Sequence, residues 1–566
     1  MGTYSQQLIV DGSIAVMLAI SLGIIYGHAG FLSLCHATFF GVGAYAAAGF
    51  SAIYVTYYGS ASICMSILAA VIASMLFAVI VGLMCLYLRG DFIALATLGI
   101  GELARALALN IEGLGGAKGI RNIEALTTPA LALSLAIIAI FAARFFLQSP
   151  WGRMMEAGRD NPSWADSLAI PRRKAQFSAL LFGAAIAGAA GALFAHHQQY
   201  IHPNSFDLMA SITILLAVIL GGKGNLTGCI IGALIVSLFP ELLRLSLPSS
   251  ADWRVLGIGI LLLFTAIIWP HGILGRWPYL DPVRRVLQWL RNHSQGTRTE
   301  GFPLLKVSTL SVHGLNVKAS SATILKDVNL SIDSGVPTAL IGPNGSGKST
   351  LGRAIAGDIP SSGLITLDSK RFERYPRLID EKQLILCTTQ HPTGFRNLSA
   401  LDNVRVVADR FLKGSPWLSW LPLISEWHNA SSRKTALRAL SWLGLGDRPD
   451  IPFKDMSYGQ RKRVILATAL FSSPRVLILD EPFAGLNLQP GGDADVVINA
   501  LKDRLSSEDD ITIIIDHRID ILQDLCKRAM LIDDGQIVRE GSFEEIIELP
   551  YFKEDYCNER IRGQES

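Results

Sequence analysis

Charged residues are scarce at the start of this chain. No Lys or Arg precedes Arg89, and Asp11 is the only acidic residue in the same stretch. Over all 566 residues only 17% are charged and 50% are hydrophobic, whereas soluble domains carry roughly 25% charged residues. This composition predicts that part of the chain lies in lipid. The formal net charge of +3 averages two unlike halves, because charges return after about residue 300, and it gives no argument for nucleic-acid binding.

Signals of an extracytoplasmic, disulfide-bonded protein are also missing. The seven cysteines show neither a CxxC spacing nor the clustering of a disulfide framework, so we expect buried or free thiols in a reducing compartment. Residues 1–7 lack the positive charge that begins a cleavable signal peptide.

A chain of this length is also too long for one compact domain, and we expect two or more.

Long apolar runs fill the first half of the chain. A membrane-spanning helix needs about 20 mostly apolar residues, and nine stretches meet this requirement, so we predict an α-helical transmembrane bundle of about eight to ten spans. The candidate spans are residues 8–27, 30–54, 61–88, 92–110, 129–148, 176–198, 208–222, 226–247 and 254–271. The first two and the 208–222 stretch could instead be broken or re-entrant helices. Many spans are rich in small residues, as in 41–49, which allow close helix contact in a bilayer.

Basic residues predict the orientation of the bundle. The loop between Trp151 and Gln176 carries five Lys or Arg residues, and further Arg residues follow Trp269. Because positive residues favour the cytoplasmic side of a membrane, both regions should face the cytoplasm. Counting spans backwards then puts the N-terminus outside.

Two groups of polar residues in this half invite a functional interpretation. Glu102 and Arg105 lie three residues apart in the fourth span, so on a helix they share a face and could pair. Charges inside a membrane are candidates for a substrate path, although an interfacial or structural pair is an equal alternative. His196, His197 and His202 resemble a metal cluster, but no Cys or paired carboxylate completes a ligand set.

A change of composition marks the end of the membrane half. Residues 281–291 have apolar side chains at helical spacing with arginines opposite, which predicts a helix on the inner membrane surface. A polar run then forms a linker. We therefore predict a transmembrane domain at 1–275, an amphipathic helix and linker at 276–303, and a soluble domain at 304–566.

The soluble half contains a phosphate-binding pattern. A glycine, four free positions and Gly-Lys-Ser follow the apolar run 337–341 and precede a predicted helix at 348–356. Such glycines let backbone N–H groups surround a phosphate, while Lys348 reaches the β and γ phosphates and the Ser349 hydroxyl binds Mg²⁺. The predicted nucleotide-binding residues of this loop are Gly342, Pro343, Asn344, Gly345, Ser346, Gly347, Lys348, Ser349 and Thr350.

Other segments of this half predict strands and a helical insertion. Strand-like runs occur at 305–310 and 322–332, and a third, 384–389, ends at Gln390. Residues 411–445 are helical in pattern and rich in tryptophan, which predicts an inserted helical subdomain. Its aromatic residues suit either core packing or contact with a membrane partner.

A second anion site is predicted after this insertion. Ser457 suits the N-cap of a helix that continues to Leu470, and Gly459 and Gln460 follow in its first turn. A helix N-terminus that exposes N–H groups beside a glycine favours binding of an anion.

Two buried strands should deliver further side chains to the nucleotide. The run 476–479 is typical of a parallel strand buried on both faces, and Asp480 and Glu481 stand at its carboxyl end, where α/β sheets bind ligands. Asp480 suits the Mg²⁺ shell, and Glu481 suits polarisation of an attacking water. The run 511–515 leads to His517 at the same edge.

These motifs together resemble the ATPase domain of an ABC transporter. Residues 342–350 match the Walker A motif, Gln390 the Q-loop, Ser457 to Gln460 the signature, 476–481 the Walker B strand with its catalytic glutamate, 484–487 the D-loop and His517 the H-loop. The resemblance implies ATP and Mg²⁺ as cofactors, with the metal held by Ser349, Gln390 and Asp480, and catalysis by Glu481, His517, Gln390 and Lys348. It also implies that two such domains close head to tail, so that Ser457, Gly459 and Gln460 complete the site of a partner. One departure is that no Tyr or Phe stands where an aromatic would stack on adenine, and His313 is the nearest candidate.

The resemblance narrows to the importers of branched-chain amino acids. The stretches 27–37, 43–45, 115–120 and 218–222 resemble their membrane subunit, and residues 156–170 fall where that family has its coupling helix. Tyr458, the 484–487 loop and the tryptophan-rich insertion resemble their ATPase subunit. A membrane subunit and an ATPase, usually separate chains, are thus joined in one.

This resemblance implies ATP-driven import across the bacterial inner membrane, with the ATPase domain in the cytoplasm. The implied partners are a second membrane half, a second ATPase and an extracytoplasmic substrate-binding protein. The transported molecule stays open among branched-chain or other amino acids and related small amides. Two alternatives use the same ATPase, namely an ATP-gated channel or sensor, and an exporter.

Overall fold

The computed structural model describes residues 2–58, 62–85, 88, 91–246, 308–319, 322–368, 370–371, 385–409, 422–505 and 510–549, with parts of 257–275. The chain divides into two compact units, each described here by itself. The first contains Met1–Arg159, Arg172–Ser294 and Gly414–Ser425; the second contains Asp160–Pro171, Gln295–Lys413 and Glu426–Ser566. The predicted linker at 276–303, with its amphipathic helix, lies outside the described residues, and the predicted domain boundaries stay predictions.

The N-terminal half is built from helices. They are α1 (Gly2–Leu22), α2 (His36–Tyr58), α3 (Ser62–Cys85), α4 (Asp91–Asn110), α5 (Pro129–Gln148), α6 (Pro150–Asp160), α7 (Pro162–Ser167), α8 (Arg172–Gln198), α9 (Leu208–Gly221) and α10 (Leu226–Ser246). A π-helical turn, Gly23–His28, continues α1, and a 3₁₀ turn, Pro203–Phe206, precedes α9. Two short strands, β1 (Ile120–Arg121) and β2 (Tyr200–Ile201), pair antiparallel.

Six helical segments of the described part are long and apolar enough to cross a membrane. They are Tyr4–His28, Ser62–Cys85, Phe92–Asn110, Pro129–Gln148, Arg172–Gln198 and Pro203–Gly221. Each corresponds to one of the nine predicted spans. Two more of the predicted stretches are helical, as α2 and as α10, and α10 contains a shorter apolar stretch at Leu226–Phe239; that they span the membrane stays a prediction. The last, 254–271, is described only in part, and its described residues between 257 and 268 are helical. The chain therefore has the helical bundle of a multi-pass membrane protein.

Small residues bring α2 and α8 into close contact. A Cβ atom added at Gly43 would lie 2.5 Å from the Cα of Gly188, and one at Gly191 would collide with the carbonyl oxygen of Phe40. Only glycine permits such backbone approach, which is how helices gain packing energy in lipid. The predicted role of small residues in this span is confirmed.

The π-helical turn at the end of the first span is tied to α6. His28 Nδ1 lies 2.7 Å from Glu156 Oε1, and the Arg159 guanidinium donates to the carbonyl oxygen of Gly27. A π-helix leaves carbonyl groups out of the regular ladder, so outside donors of this kind stabilise it. The contact joins the first span to the helix that leads into Asp160.

The second unit is an α/β domain. Its strands are β3 (Thr309–Ala319), β4 (Ala322–Asp333), β5 (Thr338–Ile341), β6 (Ser362–Leu367), β7 (Lys370–Arg371), β8 (Ile385–Cys387), β9 (Val476–Asp480), β10 (Ile511–Ile515), β11 (Arg528–Asp533) and β12 (Gln536–Ser542). The α-helices of this half of the chain are α11 (Lys348–Ile355), α12 (Ala400–Asp409), α13 (Pro422–Trp442, of which the first four residues belong to the first unit), α14 (Tyr458–Phe471), α15 (Asp493–Leu505), α16 (Ile519–Leu525) and α17 (Phe543–Ile547).

Two sheets organise this unit. Six strands form a sheet in the order β12-β11-β5-β10-β9-β8, parallel except for β12, and four form an antiparallel sheet in the order β4-β3-β6-β7. Every residue of β5, β9 and β10 is buried, as expected for central strands covered on both faces. The fold class predicted from the sequence, a helical bundle followed by an α/β ATPase fold, is confirmed.

Several local predictions differ from the structure. Of the strand predicted at 305–310, residues 305–307 lie outside the described residues. The described strand, Thr309–Ala319, runs past the predicted end, because its pairing with β4 and β6 fixes its length better than its own apolar pattern. The helix after the phosphate loop ends at Ile355, one residue before the predicted end. The tryptophan-rich insertion is helical over Pro422–Trp442, and Trp417 and Trp420 lie outside the described residues.

Candidate functional site

Parallel strands bring the predicted site residues to one edge of the sheet. Ile515 of β10 stands opposite both Asp480 of β9 and Leu340 of β5. The residues that follow these strands therefore meet at their common carboxyl ends, which is where α/β sheets bind ligands. These are the phosphate loop after β5, Glu481 after β9, and the turn with His517 after β10.

The phosphate loop has the backbone of an anion cradle. Gly342, Gly345 and Gly347 all have positive φ angles, and a Cβ at Gly342 would collide with the carbonyl oxygen of Ile532. Such a conformation turns backbone N–H groups to one side of the loop. The helix that begins at Lys348 adds a second set of free N–H groups at its N-terminus.

Side chains of the loop are arranged as donors. Lys348 Nζ donates to the carbonyl oxygens of Gly342 and Pro343 at 2.9 and 2.7 Å. Its side chain curls over the loop and is 7% exposed. Ser346 Oγ is buried and has no hydrogen-bond partner in the described part of the chain. An orphaned hydroxyl and a lysine inside a glycine-rich loop fit a phosphate ligand.

Ser349 and Asp480 form the predicted metal-binding pair. Ser349 Oγ donates to Asp480 Oδ1 at 3.0 Å, and Thr388 Oγ1 accepts from the backbone N–H of Asp480. Burial raises the pKa of Asp480, and the hydrogen bond from Ser349 opposes that shift. A hydroxyl and a carboxylate oxygen at this distance fit the oxygen ligands that Mg²⁺ prefers.

Glu481 lies at the centre of a second group of polar residues. Its φ angle is +46°, and its backbone N–H donates to the Ile515 carbonyl. Its Oε1 accepts from Gln390 Nε2 at 2.9 Å and lies 3.7 Å from His517 Nε2. A non-glycine residue at positive φ is uncommon and is often found at functional sites. The structure thus brings together three of the four residues predicted to act in catalysis.

The signature segment begins α14 with two reciprocal hydrogen bonds. Ser457 Oγ accepts from the Gln460 backbone, and the Gln460 side chain accepts from the Ser457 N–H, a complete capping box. The predicted N-cap is confirmed. Gly459 follows the cap, and a Cβ at Gly485 would lie 2.6 Å from the Tyr458 ring, so the 484–487 loop packs on the signature.

Sequence reasoning missed Lys462, one turn further along α14. This lysine is 2% exposed, and its Nζ donates to the Gln390 carbonyl at 2.7 Å. The run Arg461-Lys462-Arg463 reads as a solvated helix face, so only the packing of α14 reveals the burial. Thr388 was missed too, because a threonine that follows a strand carries no signal of its own.

The remaining predicted site residues lie outside the group around Glu481. Glu102 and Arg105 pair at 2.8 Å as predicted, and Arg105 also donates to Asn204; a role in the substrate path stays a prediction. His196, His197 and His202 contact three different partners, namely the Glu124 carbonyl, Asp11 and the Ala117 carbonyl. His313 is exposed on β3, and its stacking on adenine stays a prediction.

Two protein families match this chain. The branched-chain amino acid transport system permease component matches residues 5–266, and the ABC transporter family matches residues 325–484. The second range contains the phosphate loop, Gln390, the signature and Glu481. The first covers the six described segments that are long enough to span a membrane.

Curated relatives match each half separately. The permease protein LivM of the high-affinity branched-chain amino acid transport system of Escherichia coli is 30% identical over 46% of this chain and 68% of its own length. The ATP-binding protein BraF for high-affinity branched-chain amino acid transport in Pseudomonas aeruginosa is 28% identical over 44% of this chain and 98% of its own length. A putative ABC transporter ATP-binding protein of Streptococcus agalactiae is 32% identical over 41% of this chain, which spans about 40% of that relative.

The chain belongs to the ABC transporters. It joins a permease component of the branched-chain amino acid type to an ABC ATPase domain in one polypeptide.

Proposed function

We propose that this chain is one half of an ATP-driven importer of amino acids in the bacterial inner membrane. The observation that carries the proposal is the presence, in one chain, of a branched-chain amino acid permease component and of ABC motifs whose side chains pair, Ser349 with Asp480 and Gln390 with Glu481. In this proposal the permease domain occupies 1–275, residues 276–303 join the domains, and the ATPase domain, 304–566, lies in the cytoplasm.

The phosphate loop would bind the triphosphate of ATP. The loop residues 342–350 surround the phosphates with N–H groups, and Lys348 exchanges its two carbonyl partners for phosphate oxygens. Ser349, Asp480 and Gln390 would hold Mg²⁺, which neutralises charge on the transferred phosphoryl group. Since Ser349 and Asp480 already lie 3.0 Å apart, little rearrangement is needed.

Glu481 would act as the general base for hydrolysis. Gln390 donates to its carboxylate and His517 lies beside it, so the carboxylate is oriented by neighbouring side chains. A carboxylate fixed in this way accepts the proton of an attacking water, and His517 supports the charge that develops on the phosphate. Hydrolysis is thus assigned to a group of residues from three adjacent strands.

A second membrane half and a second ATPase domain would complete the transporter. Ser457, Gly459 and Gln460 lie at the N-terminus of α14, a position that favours an anion, and in this proposal they contact ATP held by a second ATPase domain. A second membrane half and an extracytoplasmic binding protein complete the proposed assembly, as a homodimer or with a paralogous chain.

Communication with the membrane half would pass through the C-terminal end of α6. Asp160 accepts two hydrogen bonds from Asn397, from its backbone N–H at 2.9 Å and from its side-chain amide at 2.8 Å. Asn397 lies in the loop that follows Gln390, and Asp160 ends the helix that contacts the π-helical turn through Glu156 and Arg159. A displacement of the Gln390 loop therefore has a covalent and hydrogen-bonded route to the first span.

The proposed substrate class is the branched-chain or hydrophobic amino acids and related small amides. The binding protein would select among them. Co-purification of the chain with its binding protein, followed by identification of the bound ligand by mass spectrometry, tests this directly. We expect an amino acid or a small amide that stimulates ATP hydrolysis by the assembly in liposomes; ion conductance without stimulated hydrolysis would contradict import and favour a gated channel.

A further inference from the structure

Lys462 is a buried cation with a specific hydrogen bond. It lies in the second turn of α14, is 2% exposed, and its Nζ is 2.7 Å from the carbonyl oxygen of Gln390. Burial lowers the pKa of the Lys462 ammonium, and the nearby carboxylates of Glu481, Asp480 and Asp516 act against that shift. Burying an ammonium is costly, so a site that retains one generally pairs it with acceptors and acidic neighbours.

The carbonyl that Lys462 holds belongs to a residue whose side chain is at the reaction site. Gln390 is exposed and follows β8 in a loop, so little else fixes it. Its backbone oxygen accepts from Lys462 and, at 3.4 Å, from the Tyr458 hydroxyl, while its side-chain amide donates to Glu481. One residue thus has its main chain held by the signature helix and its side chain on the proposed general base.

We propose that Lys462 is a positioning residue for ATP hydrolysis, which ties the Gln390 backbone to helix α14 so that the signature segment and the Glu481 carboxylate move together. This inference rests on the proposed function. It gives the Gln390 loop an anchor inside the ATPase domain.

The consequence is a link between two nucleotide sites. The N-terminus of α14 would face the ATP of a second domain, whereas Gln390 and Glu481 serve the chain's own ATP. A shift of α14 toward a bound phosphate pulls on the Gln390 carbonyl through Lys462 and so reorients the amide that holds Glu481. Occupation of one site is in this way communicated to the base of the other.

A purely structural lysine would behave differently from a positioning one. Methionine has a similar length and no charge and adapts to irregular cores, so it would satisfy a packing role and avoid the desolvation cost. It has no donor for the Gln390 carbonyl. Arginine keeps the donors and the charge. The pair Lys462→Met and Lys462→Arg therefore separates packing from positioning.

The test uses the full transporter in liposomes and measures ATP hydrolysis, the KM for ATP and thermal stability. We expect Lys462→Met to lower kcat by about 10- to 100-fold, since a misplacement of roughly 1 Å costs on the order of 100-fold, with KM changed less than about twofold. Lys462→Arg should recover most of kcat. A matched control is Lys502→Met, which changes a half-exposed lysine on α15 and should leave kcat unchanged.

Opposite results overturn the inference. One is a wild-type kcat in Lys462→Met. Another is a fall in kcat that is accompanied by a higher KM for ATP and a lower thermal stability. The third is a Lys462→Arg variant that does not recover kcat. If Lys462→Met does not fold, Lys462→Gln replaces it, because the shorter glutamine donor reaches the Gln390 carbonyl poorly. We expect its kcat to fall by at least about threefold at constant KM. An unchanged kcat in Lys462→Gln also overturns the inference. If the Glu481→Gln variant hydrolyses ATP as fast as the wild type, the proposed function fails instead.

Discussion

The side-chain amide of Gln390 donates to the carboxylate of Glu481, with 2.9 Å between Nε2 and Oε1. The two residues are 91 positions apart in sequence and become neighbours because β8 and β9 are adjacent parallel strands. His517 approaches the same Oε1 from the end of β10. The carboxylate is thus oriented by residues from both sides, which is the geometry that a general base requires.

The first prediction concerns the base itself. Glu481→Gln keeps the size of the side chain and an acceptor for Gln390, but it removes the proton acceptor. We expect ATP hydrolysis to fall by about 100-fold or more, while equilibrium binding of ATP changes little. The control is Glu540→Gln, the same change at an exposed residue of β12 that pairs with Arg528 of β11. Near-normal turnover in a complex with no second competent site would remove Glu481 from this role.

The second prediction concerns phosphate binding. Lys348→Ala removes the only cation of the loop 342–350, and a hydrogen bond to a charged group is worth about 1.5–3 kcal/mol. Affinity for Mg-ATP should therefore fall by about 10- to 100-fold, measured by titration with a fluorescent ATP analogue. Lys326→Ala removes a surface lysine paired with Asp534 and should leave affinity unchanged. Equal affinities for the two variants would show that Lys348 does not contact the phosphates.

The third prediction separates hydrolysis from transport. Asn397→Ala deletes the side-chain hydrogen bond to Asp160 and leaves the groups at Glu481 intact. We expect basal ATP hydrolysis within about twofold of wild type and substrate uptake reduced several-fold, because the loop loses a contact to Asp160 at the end of α6. Asn499→Ala, the same change at an exposed residue of α15, serves as the control. Parallel losses of hydrolysis and uptake would contradict a role in coupling.

The fourth prediction tests helix packing in the bundle. A side chain at Gly43 would lie 2.5 Å from the Gly188 backbone, which cannot move aside without separating α2 from α8. Gly43→Val should therefore cost more than the 1–3 kcal/mol or so that is typical of overpacking, seen as a lower unfolding temperature in detergent. Gly49→Val lies on the same helix with nothing within 4 Å of the new Cβ. Equal stability of the two variants would mean that the close contact is absent from the folded protein.

Much of the site could be predicted because its signals are local. The glycine spacing around Lys348, the cap at Ser457 and the buried run before Asp480 each determine backbone conformation within a few residues. The parallel order of strands then brings the ends of β5, β9 and β10 together, which follows from the alternation of strands and helices.

The parts that sequence did not predict depend on distant contacts. The burial of Lys462 requires the packing of α14 against the Gln390 loop, and the contact between Glu156 and His28 joins residues 128 positions apart. The first described strand runs past its predicted end at residue 310 for the same reason, since its partners β4 and β6 decide its length. Composition and residue spacing do not predict contacts between such distant residues.

The most direct test of the account is substrate uptake into proteoliposomes. The chain, its partner subunits and the binding protein are reconstituted with ATP on the side of the ATPase domain, and labelled amino acid is added with the binding protein on the other side. The account predicts accumulation against a gradient that requires ATP, the binding protein and Glu481, and that Glu481→Gln abolishes. Efflux of preloaded substrate, or ion current without accumulation, would contradict it.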